Sequence, residues 1–204
     1  MLSTAFARLS GIALLLGGLL GFAAIIVHPQ DPRDSANLPV HVALYTAVIL
    51  VLLGLPGFGS RVAHGNDWLG LAGMVVLFVG TAFEDPLHSV LFFTAVPVLV
   101  ASPAGQQLLA DPPPGLLLPM QMAAGLLIVV GIVITTIAIL RHPGLPRWTI
   151  VLPLLAAAAL VLGFALPPAN QVAAAAFYLG FAIWGWSLLA GRSGAPGEIT
   201  NAAT

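Results

Sequence analysis

The sequence predicts an all-α protein, a polytopic bundle of transmembrane helices. Hydrophobic residues make up 59% of its 204 residues and charged residues only 6%, against about 25% charged residues in an ordinary soluble domain. Several apolar runs approach the roughly 20 helical residues that cross a bilayer. Helix is the expected conformation because lipid cannot bond exposed backbone groups, and the alternating pattern of a membrane barrel is absent.

Six spans follow from the apolar runs, in chain order. The first covers about 6–27; its run is long for a signal-peptide core and no small-residue cleavage site follows, so we interpret it as an uncleaved span. The other five cover about 39–55, 68–83, 116–140, 148–166 and 170–190. Three breakers separate or end them, namely Leu55-Pro56-Gly57, Arg141-His142-Pro143-Gly144 and Pro167-Pro168-Ala169.

The apolar stretch Pro86–Ala101 is ambiguous because it is short and contains Pro97. Cytoplasmic loops are enriched in Arg and Lys. Six spans with the N-terminus inside place five of the six arginines in the cytoplasm, namely Arg8, Arg61, Arg141, Arg147 and Arg192. The best seven-span arrangement places only four arginines there. We therefore predict six spans plus a short re-entrant or interfacial outer helix at Pro86–Ala101, with seven spans as the alternative.

Domain organisation and location follow from the same pattern. We expect one transmembrane domain over 1–192 and a disordered cytoplasmic tail over 193–204, where residues are small and polar. Both termini are predicted to be cytoplasmic, and the expected location is the cell (inner) membrane. Gly17 and Gly21, four residues apart, allow close helix contact, which we assign to packing within one bundle rather than to a dimer motif.

Charge and cysteine content exclude several classes of function. The net charge is −1, with no basic cluster of the kind that nucleic acid requires. The chain has no Cys, so disulfides, thiolate metal sites and Cys nucleophiles are ruled out. No charged residue lies at the centre of a span, which disfavours an ion-coupled pump. None of the common catalytic signatures appears.

The six-span arrangement gathers polar residues at the outer face. Glu84 and His88 are four residues apart and share one face of a helix. His28 and His41 flank a loop that returns the chain to the membrane, so they lie at similar depth. Carboxylate and imidazole together bind Zn, Mn or Fe. The candidate metal ligands are therefore Glu84, His88, His41 and His28.

Three further acids complete this outer cluster: Asp31, Asp34 and Asp85. Asp85 precedes Pro86 and can cap a helix that begins there. The plainer interpretation is a solvated set, in which Asp31 and Asp34 only pair with Arg33. A haem held by His41 and His88 is a further alternative, because bis-His haem needs two histidines facing each other inside a bundle.

The chain resembles uncharacterised bacterial multi-pass membrane proteins. The resemblance rests on the junction Arg141–Trp148 with its Leu-Pro-Arg-Trp sequence, on His28-Pro29 after the first span, and on an acidic residue before an outer helix that contains proline. It covers most of the chain by layout and supports the topology. It implies no activity, and no functional residue is transferred from it.

Three functional hypotheses remain, in this order. The first is a non-enzymatic membrane bundle that acts as a sensor, assembly factor or accessory subunit. The second is a metal- or haem-binding membrane protein with an extracytoplasmic His and carboxylate site. The third is a small transporter or permease-like module for a neutral or lipid-like substrate. The expected partners are the lipid bilayer and either another membrane protein or a second copy of the chain.

Overall fold

The computed structural model describes residues 4–29, 31, 33–63, 68–110, 115, 117–142, 144–163, 166 and 168–190, and most of these residues are helical. Seven α-helices follow within these residues. They are α1 Thr4–Ile26, α2 Asn37–Val62, α3 Trp68–Val100, α4 Pro103–Ala110, α5 Leu117–Arg141, α6 Val151–Gly163 and α7 Pro168–Ala190. A 3-10 turn over Arg147–Ile150 leads into α6. The tail predicted to be disordered, 193–204, lies outside the described residues.

Five of the described helices are long and apolar enough to cross a membrane: α1, α2, α3, α7 and the Pro119–Arg141 part of α5. The segment Arg147–Gly163, which contains α6, is apolar but shorter. Leu, Ile, Val and Ala fill these helices, and their apolar side chains need no polar partner in lipid. The predicted all-α architecture is therefore confirmed for the described residues, with five helices long and apolar enough to span a membrane.

The second helix is longer than predicted. The expected break at Leu55-Pro56-Gly57 is wrong, because α2 runs through Pro56 to Val62. Proline removes one backbone hydrogen bond, but membrane helices tolerate this where neighbouring helices pack around the site. Here α1 supplies that packing, since Gly54 lies against Leu14 and Gly57 lies against Ser10.

The third helix also continues through its prolines. The separate outer helix expected at Pro86–Ala101 is instead the second half of α3, which contains both Pro86 and Pro97. With 33 residues, α3 is about 50 Å long. The short helix that follows it is α4, which packs back on α3 through Gly105 against Leu99.

Six helices form a closed ring in the order α1, α2, α3, α5, α6, α7, and each packs on its two neighbours. Neighbours run in opposite directions, as shown where Gly17 of α1 meets Ala47 and Gly54 of α2 meets Leu14. A side-chain carbon on Gly17 would lie 2.8 Å from the Ala47 carbonyl oxygen, so only glycine allows this approach. Gly21 packs on Tyr178 of α7. Gly17 and Gly21 therefore allow close packing between helices of the same bundle.

The alternating directions give the bundle two chemically different ends. Arg8, Arg61, Arg141 and Arg147 lie at one end, where α1 begins and α2 and α5 end. His28 and His41 lie at the opposite end, where α1 ends and α2 begins, and α3 brings His88 to the same level. We call these the basic end and the histidine end.

Candidate metal centre

Three histidine side chains converge at the histidine end. They come from separate elements: His28 follows α1, His41 lies in the first turns of α2, and His88 lies in α3. The Nε2 atom of His41 is 3.3 Å from Nε2 of His28 and 3.2 Å from Nε2 of His88. Each of the three rings offers a nitrogen, and these three nitrogens lie within 4.8 Å of one another. We call this group the His triad.

The central ring of the triad has a fixed hydrogen-bonding role. His41 is fully buried, and its Nδ1 lies 2.8 Å from the backbone carbonyl oxygen of Asn37, one turn earlier in α2. A carbonyl oxygen only accepts, so Nδ1 carries the proton and donates it. In the neutral ring, Nε2 then presents its lone pair towards His28 and His88. Metal-binding histidines commonly use such a second hydrogen bond to set the tautomer and orient the ring.

Hydrogen bonding within the triad leaves one contact unexplained. The single lone pair on Nε2 of neutral His41 can accept one N–H bond, from His28 or from His88, but not from both. A metal ion uses all three lone pairs at once. Two nitrogens bound to tetrahedral zinc at about 2.05 Å lie about 3.3 Å apart. The observed separations of 3.3 and 3.2 Å match this spacing.

An aromatic ring holds the triad in place. Phe92, one turn after His88 in α3, stacks on His41 with ring centres 3.7 Å apart and planes 11° from parallel. The same ring lies 4.9 Å from His88 and 6.5 Å from His28, measured between ring centres. Phe92 therefore contacts all three imidazoles and restricts how they can turn.

The loop between α1 and α2 is braced by its own polar residues. The Nδ2 of Asn37 donates to the backbone oxygen of Asp31 at 2.6 Å. This bond ties the loop to Asn37, and the backbone carbonyl of Asn37 in turn accepts the hydrogen bond from His41. Arg33 forms an ion pair with Asp31 at 3.0 Å. The hydrogen bonds that Arg33 donates to the exposed Asp31 carboxyl hold its pKa below the ordinary value of 3.8. Asp34 accepts from the backbone N–H of Ala36.

The remaining candidate residues lie apart from the three nitrogens. Asp31 and Asp34 serve the loop as just described. Glu84 lies one turn before His88, and among the described residues the group close enough to share a metal does not include it. Asp85 lies in α3, and its side chain is outside what the structure describes. The structure therefore brings together three of the four predicted ligands.

A cavity of about 790 Å³ opens beside the triad. His28, His88 and Glu84 line its wall at the histidine end, together with Gln121 of α5. His41 does not line the cavity and lies behind the other two histidines. Most of the apolar remainder of the wall comes from α5, α6 and α7, including Ile128, Ile132 and Phe177, and Ile25 of α1 and Leu44 of α2 complete it.

The geometry disfavours the haem alternative. Two axial histidines bind iron from opposite faces of the porphyrin, and two metal–nitrogen bonds of about 2 Å would then put their nitrogens about 4 Å apart. The Nε2 atoms of His41 and His88 are 3.2 Å apart, and Phe92 already stacks on His41. The porphyrin ring has no space between these side chains.

Sequence reasoning missed two residues that support the triad, Asn37 and Phe92. Both stand four positions from a candidate histidine, Asn37 before His41 and Phe92 after His88, and residues at this spacing contact each other on a helix. That signal was present in the sequence. The contact of Phe92 with His41 was not, because it depends on how α2 packs against α3.

Comparison of the chain with protein-family models, with curated protein sequences and with solved structures finds no match. This result agrees with the resemblance to uncharacterised multi-pass proteins.

Proposed function

We propose that this protein is a membrane protein that binds a divalent transition metal through His28, His41 and His88. One observation carries the proposal. Nε2 of His41 lies 3.3 and 3.2 Å from two other imidazole nitrogens, while its Nδ1–H is engaged by the Asn37 carbonyl. This is the arrangement of a metal ligand with an outer hydrogen-bond partner. The second sequence-based hypothesis, in its metal form, is thus favoured over the first.

The ligand set favours zinc. Three neutral imidazoles suit Zn, Cu, Ni and Fe, and no Cys is available in the chain to select a softer ion. Two of the three nitrogen separations, 3.3 and 3.2 Å, match tetrahedral zinc, and all three nitrogens lie within 4.8 Å of one another. Three protein ligands leave the fourth position of a tetrahedral ion open, and His28 and His88 line the cavity. Two of the three ligands therefore border the cavity, from which a water molecule or a ligand would reach the open position.

The membrane arrangement is part of the proposal. Six helices cross the cell (inner) membrane, both termini are cytoplasmic, and the triad lies near the extracytoplasmic side. The support is the clustering of Arg8, Arg61, Arg141 and Arg147 at the basic end, because cytoplasmic ends are enriched in arginine. The metal would then be exchanged with the extracytoplasmic side.

The test is zinc content and zinc affinity of the protein purified in detergent. We expect close to one zinc per chain after zinc loading and desalting, measured by mass spectrometry of the elements. His41→Ala should bind at least a hundredfold more weakly, because it removes the nitrogen that contacts both other ligands. His142→Ala, the same substitution at the basic end, should bind zinc as the unaltered protein does.

Two further results bear on the ligand set. Glu84→Gln should retain zinc, because Glu84 lies outside the group of converging nitrogens. Zinc well below one per chain in the unaltered protein would contradict the proposal. An equal loss in His41→Ala and His142→Ala would also contradict it, since the metal would then be bound at surface histidines.

A further inference from the structure

Glu84 places a carboxyl group on the wall of the cavity, next to the His triad. It lies in α3 one turn before His88, and both side chains line the same cavity. Side chains at this spacing have Cβ atoms about 5–6 Å apart. Among the described residues, no ion pair holds the Glu84 carboxylate. An ionisable side chain inside a membrane-spanning helix is costly, and such a residue typically marks a functional site.

The cavity places this carboxylate between the triad and an apolar wall. Because α3 runs towards the histidine end, Glu84 lies about 6 Å deeper in the bundle than His88. Gly80, one turn deeper again, meets Ile128 of α5. Ile128 and Ile132 line the cavity, and both therefore lie beyond Glu84 on the side of the basic end. The order along the cavity is triad, carboxylate, apolar wall.

A carboxylate beside a metal ion with an open position is suited to activating water. A divalent ion makes a water molecule in that position a nucleophile at neutral pH, and it also polarises carbonyl oxygens. Glu84 lies outside the converging nitrogens, so its carboxylate is left to accept a proton. A general base acts within hydrogen-bond distance or through one water molecule, and the single helical turn between Glu84 and His88 permits either.

The order of groups along the cavity also selects the substrate. A reactive carbonyl at the end of an apolar chain meets the triad and Glu84 first, while its chain lies against the apolar wall. That wall runs from Gln121 to Ile132 of α5, which is about 16 Å of helix. The helix ring is least closed beside it, because α5 and α6 make less contact than any other neighbours in the ring.

We infer that the protein hydrolyses a carboxylic ester that has an apolar acyl chain. The ester carbonyl lies at the triad, and the chain extends past Ile128 and Ile132. Glu84 takes one proton from the attacking water, whose oxygen bonds to the carbonyl carbon. The bond from that carbon to the alcohol oxygen breaks, and Glu84 returns the proton to the alcohol oxygen. A carboxylic acid and an alcohol leave. This activity rests on the proposed function, because the ion is the one that the triad holds.

The experiment follows hydrolysis of 4-nitrophenyl octanoate by zinc-loaded protein in a detergent without ester bonds. Glu84→Gln should lower kcat at least a hundredfold, because a general base contributes a factor of about 10²–10⁴, while zinc stays near one per chain. Asp34→Asn makes the same change of carboxylate to amide on an exposed loop at the histidine end and should keep full activity. Protein stripped of zinc and His41→Ala should be no faster than buffer.

Isotope labelling identifies the bond that breaks. In water enriched in oxygen-18, one labelled oxygen should enter the octanoate and none the nitrophenol, because water attacks the carbonyl carbon. Label in the nitrophenol would overturn that step. Faster release of 4-nitroaniline from the matching octanoyl amide than of nitrophenol from the ester would overturn the assignment of an ester.

A cavity-filling substitution tests the place of the acyl chain. A side-chain carbon on Gly125 of α5 would meet only Leu160 of α6, at 3.7 Å, so Gly125→Phe puts a ring into the cavity. It should lower kcat/KM at least tenfold for the octanoyl ester and less than threefold for the acetyl ester. Ala123→Phe adds the ring to the exposed side of α5 and should change neither value. Gly125→Leu should act to an intermediate degree and guards against misfolding.

The outcomes separate this activity from the proposed function. Zinc at one per chain without ester hydrolysis above buffer overturns the activity and leaves the metal site standing. Full hydrolysis in Glu84→Gln overturns the role of Glu84, and hydrolysis that survives removal of zinc overturns the role of the triad. Equal losses for the two esters in Gly125→Phe overturn the place of the chain. Zinc well below one per chain in the unaltered protein overturns the proposed function itself.

Discussion

Phe92 shows how a residue that is not itself a candidate ligand can hold a candidate metal site in shape. Its ring stacks on His41 and contacts the other two imidazoles. Such packing fixes ring orientation before a metal arrives, so less conformational freedom is lost on binding. Residues that orient metal ligands commonly contribute a factor of about 10–100 to metal affinity.

A substitution at this position tests that role. Phe92→Leu should lower zinc affinity about tenfold, while zinc still reaches one per chain at saturation, because all three nitrogens remain. Isothermal titration in detergent measures this. Phe93→Leu is the matched control, because Phe93 packs on Tyr45 rather than on the triad. The zinc affinity of this variant should equal that of the unaltered protein. Equal effects of the two substitutions would show that Phe92 acts only through helix packing.

The candidate residues were predictable from sequence to a limited extent. The placement of His28 and His41 at one level followed from the short loop between two spans. The pairing of His88 with Glu84 followed from a spacing of four, yet side chains four apart diverge by about 40° around a helix of 3.6 residues per turn. Only the packing of α2 against α3 decides that His88, and not Glu84, joins the other two histidines.

At the scale of elements, hydropathy located the helices well and their ends less well. The spans near 6–27 and 116–140 correspond to α1 and α5, because apolar length alone identifies a bilayer span. The ends assigned at Pro56 and before Pro86 were not the true ends. Proline marks helix ends in water, where free backbone groups find solvent, but in a packed membrane helix the alternative to helix is costlier.

Glycine positions test how closely the helices approach. A side-chain carbon on Gly18 would lie 2.5 Å from the Tyr178 carbonyl oxygen and 2.9 Å from the Ala182 Cα atom, both in α7. Gly18→Ala should therefore force α1 and α7 apart and lower the free energy of unfolding by about 1–3 kcal/mol. In Gly125→Ala the added carbon meets only the Leu160 side chain, at an ordinary van der Waals distance of 3.7 Å, and the substitution should be neutral or stabilising by up to about 1 kcal/mol, since alanine favours helix over glycine.

Unfolding of the two variants in mixed detergent, followed by circular dichroism, measures the difference. Both substitutions replace glycine by alanine within a long helix, so the difference in intrinsic helix propensity is the same for both and cancels in the comparison. The packing described here would be wrong if Gly18→Ala were as stable as Gly125→Ala.

At the scale of the whole molecule, the number of membrane crossings is the feature of the topology to test directly. Six crossings put the loop before α5 on the same side as the loop between α1 and α2; seven crossings put them on opposite sides. The chain has no Cys, so each introduced cysteine reports its own position. In intact cells, a membrane-impermeant maleimide should label Asp34→Cys and Gly115→Cys.

Gly144→Cys, between α5 and the 3-10 turn, is the contrasting position and should react only after the cells are made permeable. Asp34, Gly115 and Gly144 are all exposed, so differences in labelling report the side of the membrane rather than burial. Labelling of Asp34→Cys without Gly115→Cys in intact cells would indicate seven crossings.

The order of the triad along the chain has a consequence for biogenesis. All three histidines of the triad lie in the first 88 residues, just after α1 and within α2 and α3, whereas the ring closes only when α7 packs on α1. At about 5–20 residues per second, synthesis of the rest of the chain takes on the order of ten seconds. During that interval the first three helices and the loop after α1 already carry the whole His triad, so a metal captured then would clamp half of the bundle as a template on which the later helices insert.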